Sequence, residues 1–247
     1  GETPDNFYLF REVLGGGGPG RPWADGSDVV HIVPNSRNLP AEFSETRYPV
    51  LVEKLGLAMD SGGVGYKRGG CGYDKQIRTL SNSKLLSNAD RAMLNTYGVN
   101  GGGPGDTYRI SILNNDGSKK KIAGMSDNVS ANSGDLVSIQ TTGGGGWGDP
   151  LEREPSLVCY DIKCGLVSDK AAFEDYGVVV RKEQGNIVVD DVQTSKKRES
   201  IRQERGALEM FNRGPYFEKI KRENGIVRPE HWEDPDKECY AVKNELS

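Results

Sequence analysis

Apolar and polar positions alternate through the first two thirds of the chain, and helical spacing takes over only after residue 150. Alternation or short β-branched runs predict strands at Val29, Ile32 and Val33, and at 49–57, 77–80, 108–113 and 136–139. In RISILNNDGSKKKIAG, Asn115, Asp116 and Gly117 separate two such runs. Asp-Gly accepts the positive φ angles of a tight primed turn, so a hairpin is predicted there. Five clusters punctuate the strands: GGGGPG, DSGGVG, RGGCG, NGGGPG and TTGGGGWG. Each joins adjacent glycines to polar residues or proline and is read as a turn. Past Pro150 the period changes. Pro155 stands where a helix takes its first residue, SLVCYDIKCG repeats apolar residues at helical spacing, and Gly165 supplies a left-handed stop. Ser168 is placed to N-cap a second short helix that Gly177 ends. A hairpin is expected from 178–181 and 186–189 around KEQG, followed by a charged, helix-prone stretch over 193–211 and an irregular tail.

The fold class predicted is therefore α+β, predominantly β. Glycine-turn-rich, short-stranded sheets occupy 1–150, short helices and a hairpin close that unit over 151–192, and a charged helix with an extended tail, expected at a subunit interface, fills 193–247. Whether the sheets make a sandwich or a barrel is left open by the pattern.

Composition narrows the function classes. The chain has 247 residues, enough for a sizeable core, and its 33 glycines are clustered rather than periodic, which excludes collagen. A net charge of −4 provides no basic field for nucleic acid or for an anionic membrane, and no apolar run approaches the roughly 18 residues of a spanning helix. The opening GETPDNF carries no secretory leader, so a processed chain or a piece of a longer one is expected, located in the cytoplasm. Cys71, Cys159, Cys164 and Cys239 lie far apart with no CxxC, which fits free buried thiols in a reducing compartment. His31 and His231 are the two histidines, and with no HExxH and no Cys/His cluster, no complete metal site is expected in this chain.

Two stretches invite a chemical reading. Consecutive glycine N–H groups, as at Gly143, Gly144, Gly145 and Gly146 before Trp147, can cradle an anion. No run ends in the Gly-Lys of a Walker loop, however, and Asp-Pro follows TTGGGGWG where a Rossmann fingerprint would start a helix. A structural loop packing Trp147 is preferred. The second stretch is PNSRNLPAEFSETRYP, where Asn35, Arg37, Asn38 and Glu42 crowd a proline-punctuated loop. Arg37 there can clamp a carboxylate or phosphate in two-point fashion, and a hydrogen-bonded loop whose asparagines cap turns accounts for it equally well.

Taken in order, LGGGGPGRPWADGSDVVH, NSRNLPAEFSETRYPVLVEKLGLAMDSGGVGYKRGGCGYDKQIR, VNGGGPG, SGDLVSIQTTGGGGWGDPLEREP and DIKCGLVSDKAAFEDYGVVV resemble the B-type subunits of the hydantoinase, ATP-dependent 5-oxoprolinase and acetone or acetophenone carboxylase family. The resemblance covers roughly residues 1–180 and corresponds to the C-terminal half of such a subunit. It implies an enzyme subunit of an ATP-dependent cyclic-amide hydrolase or ketone carboxylase that works through a phosphorylated carbonyl. Its implied partners, in a hetero-oligomer, are an A-type subunit of actin-like kinase fold and the N-terminal half of the B-type subunit. ATP with Mg²⁺ and a divalent metal are implied on those partner chains, because the family's metal-binding His and Asp residues belong to the half this chain lacks. No catalytic residue or metal ligand is carried over. The alternative is a non-catalytic assembly subunit of the same complex.

Overall fold

The computed structural model describes residues 1–3, 6–31, 38–183 and 185–224. Ile32, Val33, Asn35, Arg37, His231, Cys239 and the tail from residue 225 lie outside them.

A short ribbon of β1 (Glu2–Thr3) and β2 (Asn6–Phe7) opens the chain, and helix α1 (Ala41–Arg47) leads into β3 (Val50–Leu57). β4 (Tyr73–Thr79) and β5 (Ser83–Asn88) follow, then the two-residue β6 (Gly98–Val99), and then β7 (Arg109–Leu113), β8 (Lys119–Ile122), β9 (Met125–Ala131) and β10 (Leu136–Gln140). One five-stranded antiparallel sheet has the order β3-β4-β10-β7-β8, and β5 pairs separately with β9. Cross-strand pairs Ile77↔Val137, Val137↔Ile112 and Ile139↔Ile110 set one face of the sheet. Leu85, Val129 and Ala131 of the β5–β9 ribbon pack on that face, so this part is a two-layer sandwich. Ile112 is fully buried there, a burial worth about 1.5–3 kcal/mol. Toward β4 the same face receives Lys75, whose Nζ donates to both Glu12 carboxylate oxygens at 2.7 and 2.6 Å under the N-terminal segment.

The strands expected at 49–57, 77–80, 108–113 and 136–139 are present. Val29 is not in a strand: its φ is 48°, and its N–H is held by the Cys71 carbonyl at 2.9 Å. β5 and β9 escape pattern reading because SKLLSN and MSDNVSA bury few side chains. The β7–β8 connection is a hairpin, but not through a two-residue primed turn. Gly117 alone in the loop has positive φ, Gly117 N–H bonds the Asn114 carbonyl, and Asn114 N–H bonds that of Ser118, which is a three-residue loop with its glycine in the left-handed position. PAEFSETR, read as part of a loop, forms α1 because Pro40 fixes the residue before its first turn and Pro49 disfavours helix at Tyr48.

After the sheet, Asp149 caps a 3-10 turn (Pro150–Glu152), and α2 (Pro155–Lys163) starts on its proline and stops at Gly165, φ 71°. α3 (Asp169–Glu174) is capped by Ser168 and closed by Gly177, φ 61°. β11 (Val180–Glu183) and β12 (Asn186–Val189) make the expected hairpin, followed by α4 (Asp191–Glu204), β13 (Phe211–Asn212), which pairs with β6, and α5 (Pro215–Asn224). Cys71, Val158, Val167, Ala172, Tyr176 and Val178 form a second apolar cluster that joins the helices to the glycine-rich segments. The architecture is α+β and predominantly β. No helix of the described residues is long and apolar enough to cross a membrane.

Candidate functional site

The glycine clusters turn the chain at Asp60, Gly101 and Gly148, which have positive φ. Between those points they run extended, side by side, and build a core from backbone. β10 continues without a turn into Thr141–Gly148, a run whose Gly143, Gly144, Gly145 and Gly146 are all buried. Gly17 N–H donates to the Thr142 carbonyl at 2.8 Å, Gly63 N–H to that of Gly144 at 2.7 Å, Gly144 N–H to that of Gly70 at 2.9 Å, and Gly20 N–H to that of Gly145 at 2.8 Å. Gly146 N–H reaches the Gly103 carbonyl at 2.9 Å. Four other clusters thus meet the central run, and the N–H groups that a phosphate would need at Gly144 and Gly146 are spent on neighbouring carbonyls. A β-carbon on Gly143 would lie 1.7 Å from the Ser61 carbonyl oxygen, and one on Gly144 1.9 Å from that of Gly18. Side chains are excluded because backbone atoms of neighbouring segments occupy the space a β-carbon would need.

At the Trp147 end of the run, Trp147 bridges Lys67 and stands edge-on to Tyr66 at 6.4 Å, with Lys67 Nζ 4.6 Å from the Tyr66 ring centre. At its Thr141 end, Thr141 Oγ1 donates to the Gly15 carbonyl at 2.7 Å and Gly16 bridges Val30, the neighbour of His31. Both His31 ring nitrogens, and both amide atoms of Asn38, are buried without a hydrogen-bond partner among the described residues. Of the loop residues singled out, Glu42 lies exposed in the first turn of α1, and Asn38 precedes that helix. Asn35 and Arg37 are outside the described residues. Among the described residues no hydrogen bond joins Asn38 or Glu42 to Gly143–Gly146 or Trp147.

Sequence reading missed a charged cluster beside the core. Arg153, fully buried, donates from Nη1 to Asp25 Oδ1 at 2.7 Å and to the Tyr66 carbonyl at 3.1 Å, and from Nη2 to Asp25 Oδ2 and Asp161 Oδ2, both at 2.8 Å. Arg68 Nη1 contacts Asp28 Oδ1 at 3.2 Å and the Gly69 carbonyl at 2.6 Å, and its Nε lies 3.7 Å from Asp161 Oδ1. Asp28 Oδ1 also accepts the Cys71 N–H at 2.6 Å. Burial pushes the Asp161 carboxyl above its ordinary range against the pull of Arg153 and Arg68. At Asp25 burial acts in the same upward sense, but hydrogen bonds and charge from Arg153 together hold the group below that range. Burial also raises the Cys71 thiol despite Arg68, so Cys71 is not an activated nucleophile at neutral pH. The signal for this cluster was present: Asp161 is a carboxylate on the buried side of α2, among Val158, Cys159 and Ile162.

A family model described as hydantoinase B/oxoprolinase matches residues 1–150. The chain is 30% identical over 182 residues to the B component of a putative D-/L-hydantoinase of Pseudomonas sp. (strain NS671), covering 73% of this chain and 31% of that protein. Among solved structures, a nucleotide-free acetone carboxylase superposes with TM-score 0.63 at 25% identity over 85% of this chain and 34% of its own. An ATP-dependent caprolactamase from Pseudomonas jessenii superposes with TM-score 0.62 at 25% identity over 76% of this chain and 33% of its own. The chain thus spans about a third of each of these proteins. Since the matched residues take in every segment of the glycine core, from Gly15 to Gly148, the chain belongs to the hydantoinase B/oxoprolinase family.

Proposed function

We propose that this chain is one subunit of an ATP-dependent enzyme acting on a carbonyl group, either opening a cyclic amide or carboxylating a ketone. The observation that carries this reading is the fold shared with two enzymes described as ATP-dependent, one a caprolactamase and the other an acetone carboxylase. The two chemistries share one step, transfer of the γ-phosphoryl group of ATP onto a carbonyl oxygen. In a cyclic amide this activates the carbon: water adds, the ring C–N bond breaks with the nitrogen taking a proton, and hydrolysis of the acyl phosphate that remains releases the carboxylate and inorganic phosphate. In a ketone an α-proton is lost to a base and the enolate oxygen is phosphorylated; bicarbonate then takes the phosphoryl group, the carboxyphosphate so formed breaks down to CO2 and inorganic phosphate, and the freed enolate carbon bonds to the CO2.

In this reading ATP with Mg²⁺ and a divalent metal are held by partner chains, an A-type subunit of actin-like kinase fold and a chain equivalent to the N-terminal half of a B-type subunit. Asp25, Asp28 and Asp161 do not fit a metal, being committed to Arg153 and Arg68, and among the described residues no group of three or more His, Cys, Asp or Glu is placed to hold one. The contribution of this chain is a scaffold with His31 near one end and Trp147 at the other. Exposed Leu9, Trp23, Met93 and Met125, each more than half accessible, favour association with larger partners and also support the reading as an assembly subunit.

Untagged chain is expected to co-purify with larger subunits, and the complex is expected to hydrolyse ATP only with substrate present; a lone stable monomer without ATP-linked activity would sink the proposal. Product formation that requires bicarbonate selects the carboxylase, and formation without it the hydrolase. Within the 35–42 loop, proposed to face substrate, Arg37→Ala should lower turnover of the complex about tenfold or more while leaving the melting temperature unchanged. Unchanged turnover with a lowered melting temperature would assign Arg37 a purely structural role.

A further inference from the structure

We infer that residues 190–212 form a strap that opens as a unit separate from the sheets, and that its grip on the glycine core is set by ionic strength. α4 has 14 residues, of which Thr194 alone is buried, and its Val192 is 64% exposed. Apolar packing therefore contributes little to the docking of α4 itself, while further along the strap Leu208 lies beside Gly101 and Phe211 stands edge-on to Tyr97 at 6.2 Å. Polar groups do the holding. Arg198, Arg202 and Arg205 recur at positions i, i+4 and i+7, on one side of the helix and its first residue beyond.

Arg198 Nε donates to the Tyr176 carbonyl at 3.0 Å and its Nη2 to that of Arg153 at 2.6 Å. Arg202 Nη2 reaches Glu152 Oε1 at 3.0 Å. Arg205 closes a two-point pair on Asp149, Nη1 lying 2.7 Å from Oδ1. Lys197 Nζ adds a contact 4.4 Å from the Phe173 ring centre, and Thr194 Oγ1 accepts the Val179 N–H at 3.0 Å. Asp149, Glu152 and Arg153 follow directly on the Trp147 end of the central glycine run, and Tyr176 lies just past α3.

Beyond Arg205 the strap crosses that end. The Glu209 and Met210 carbonyls accept the Gly101 and Asn100 N–H groups at 2.9 and 2.8 Å, and Phe211 and Asn212 pair with Val99 and Gly98. Val99 in turn bonds Gly146 and Gly148. Release of the strap therefore uncovers the β6 edge, two backbone donors and the Trp147 end of the core, without disturbing the five-stranded sheet. A device held by half-exposed ion pairs loosens as salt rises, whereas one held by apolar area does not.

Hydrogen exchange followed by mass spectrometry tests this on the full chain. Amides of 191–212 are expected to exchange faster than those of β4, β7 and β10, and to speed up about tenfold between about 0.05 M and about 1 M NaCl while the sheet is unchanged. Arg205→Ala should give a similar acceleration already at low salt. Arg205→Lys, which keeps the charge and loses the two-point geometry, should fall between the two. If 191–212 exchanges together with the sheet, or is insensitive to salt in the unsubstituted protein, the strap is an integral part of the core and the inference is wrong.

Discussion

Gly144→Ala should leave the protein unable to fold. The added methyl would lie 1.9 Å from the Gly18 carbonyl oxygen, 2.3 Å from its carbon and 2.9 Å from the Pro19 nitrogen, all backbone atoms of a neighbouring strand. A side chain can rotate out of such a clash, but backbone has to translate. Here that translation would break the bonds of Gly18 N–H to Ser27 and of Gly70 N–H to Gly18, and with them the register of three extended segments. The cost exceeds the usual overpacking range of about 1–3 kcal/mol and consumes a large share of a domain's stability. Gly56→Ala and Gly206→Ala are the controls, since a β-carbon at either meets nothing within 4 Å and neither glycine has positive φ. Both should stay within about 0.5 kcal/mol of the parent. Soluble yield and thermal melting of the three variants measure this, and a folded Gly144→Ala protein with a parent-like melting temperature would show that the core strands are not packed as described.

The second large effect is expected at Arg153→Ala. Its guanidinium satisfies Asp25 and Asp161 at once and is 1% exposed, so truncation leaves the buried Asp161 carboxylate without its hydrogen-bonding partner, with Arg68 Nε at 3.7 Å as the remaining cation, and opens a void between the core and α2. Breaking such a pair costs about 3–5 kcal/mol. The loss should depend on pH in a defined direction. Asp161, already raised by burial, rises further without Arg153, so the folded variant binds a proton more readily than the unfolded chain, whose carboxyl titrates near 3.8. A folded pKa above the unfolded one makes stability fall as pH climbs from the unfolded value through the folded value. At Asp25 the parent has the opposite linkage: its lowered pKa adds stability above 3.8 that fades only as pH falls through the folded value. The deficit of the variant should therefore shrink between about pH 7.5 and about pH 4.5, the parent changing less over that window. Denaturant unfolding at the two pH values checks it, and Asp161→Asn introduced into Arg153→Ala should recover part of the loss at the higher pH by removing the stranded charge. A deficit that is flat with pH and unmoved by Asp161→Asn would mean that lost packing, not the charge, sets the cost.

Local rules carry much of the secondary structure. Alternation locates β3, β7 and β10, Pro155 and Gly165 bound α2, and Ser168 and Gly177 bound α3. Each of these depends on residues within one turn or one strand, and such information is present in a short window of sequence. The β7–β8 hairpin is legible in position but not in turn type, because Asp-Gly serves a primed turn and the last two positions of a three-residue loop alike. β5 and β9 stay hidden because only Ser87 and Ala131 are fully buried on them.

The candidate site divides in the same way. Family membership is legible because order and spacing of glycine clusters are linear properties, and TTGGGGWG is part of that order. Its letters alone suggest a loop packing Trp147, whereas Gly143–Gly146 are extended and buried at the centre of five converging segments. A glycine required for φ above zero and a glycine required because another backbone passes within 2 Å of its missing β-carbon are the same letter. Gly148, with φ 76°, is the first kind and Gly144 the second, and only the position of Gly18 distinguishes them. Likewise Arg153 and Asp25, 128 residues apart, form one ion pair that no spacing rule connects. The chain's own order of residues is sufficient for most of its elements, its α+β class and its family. The glycine core, the Arg153 cluster and the arginine grip of α4 arise from contacts between distant segments, whose energies depend on distances that exist only once the chain has closed on itself.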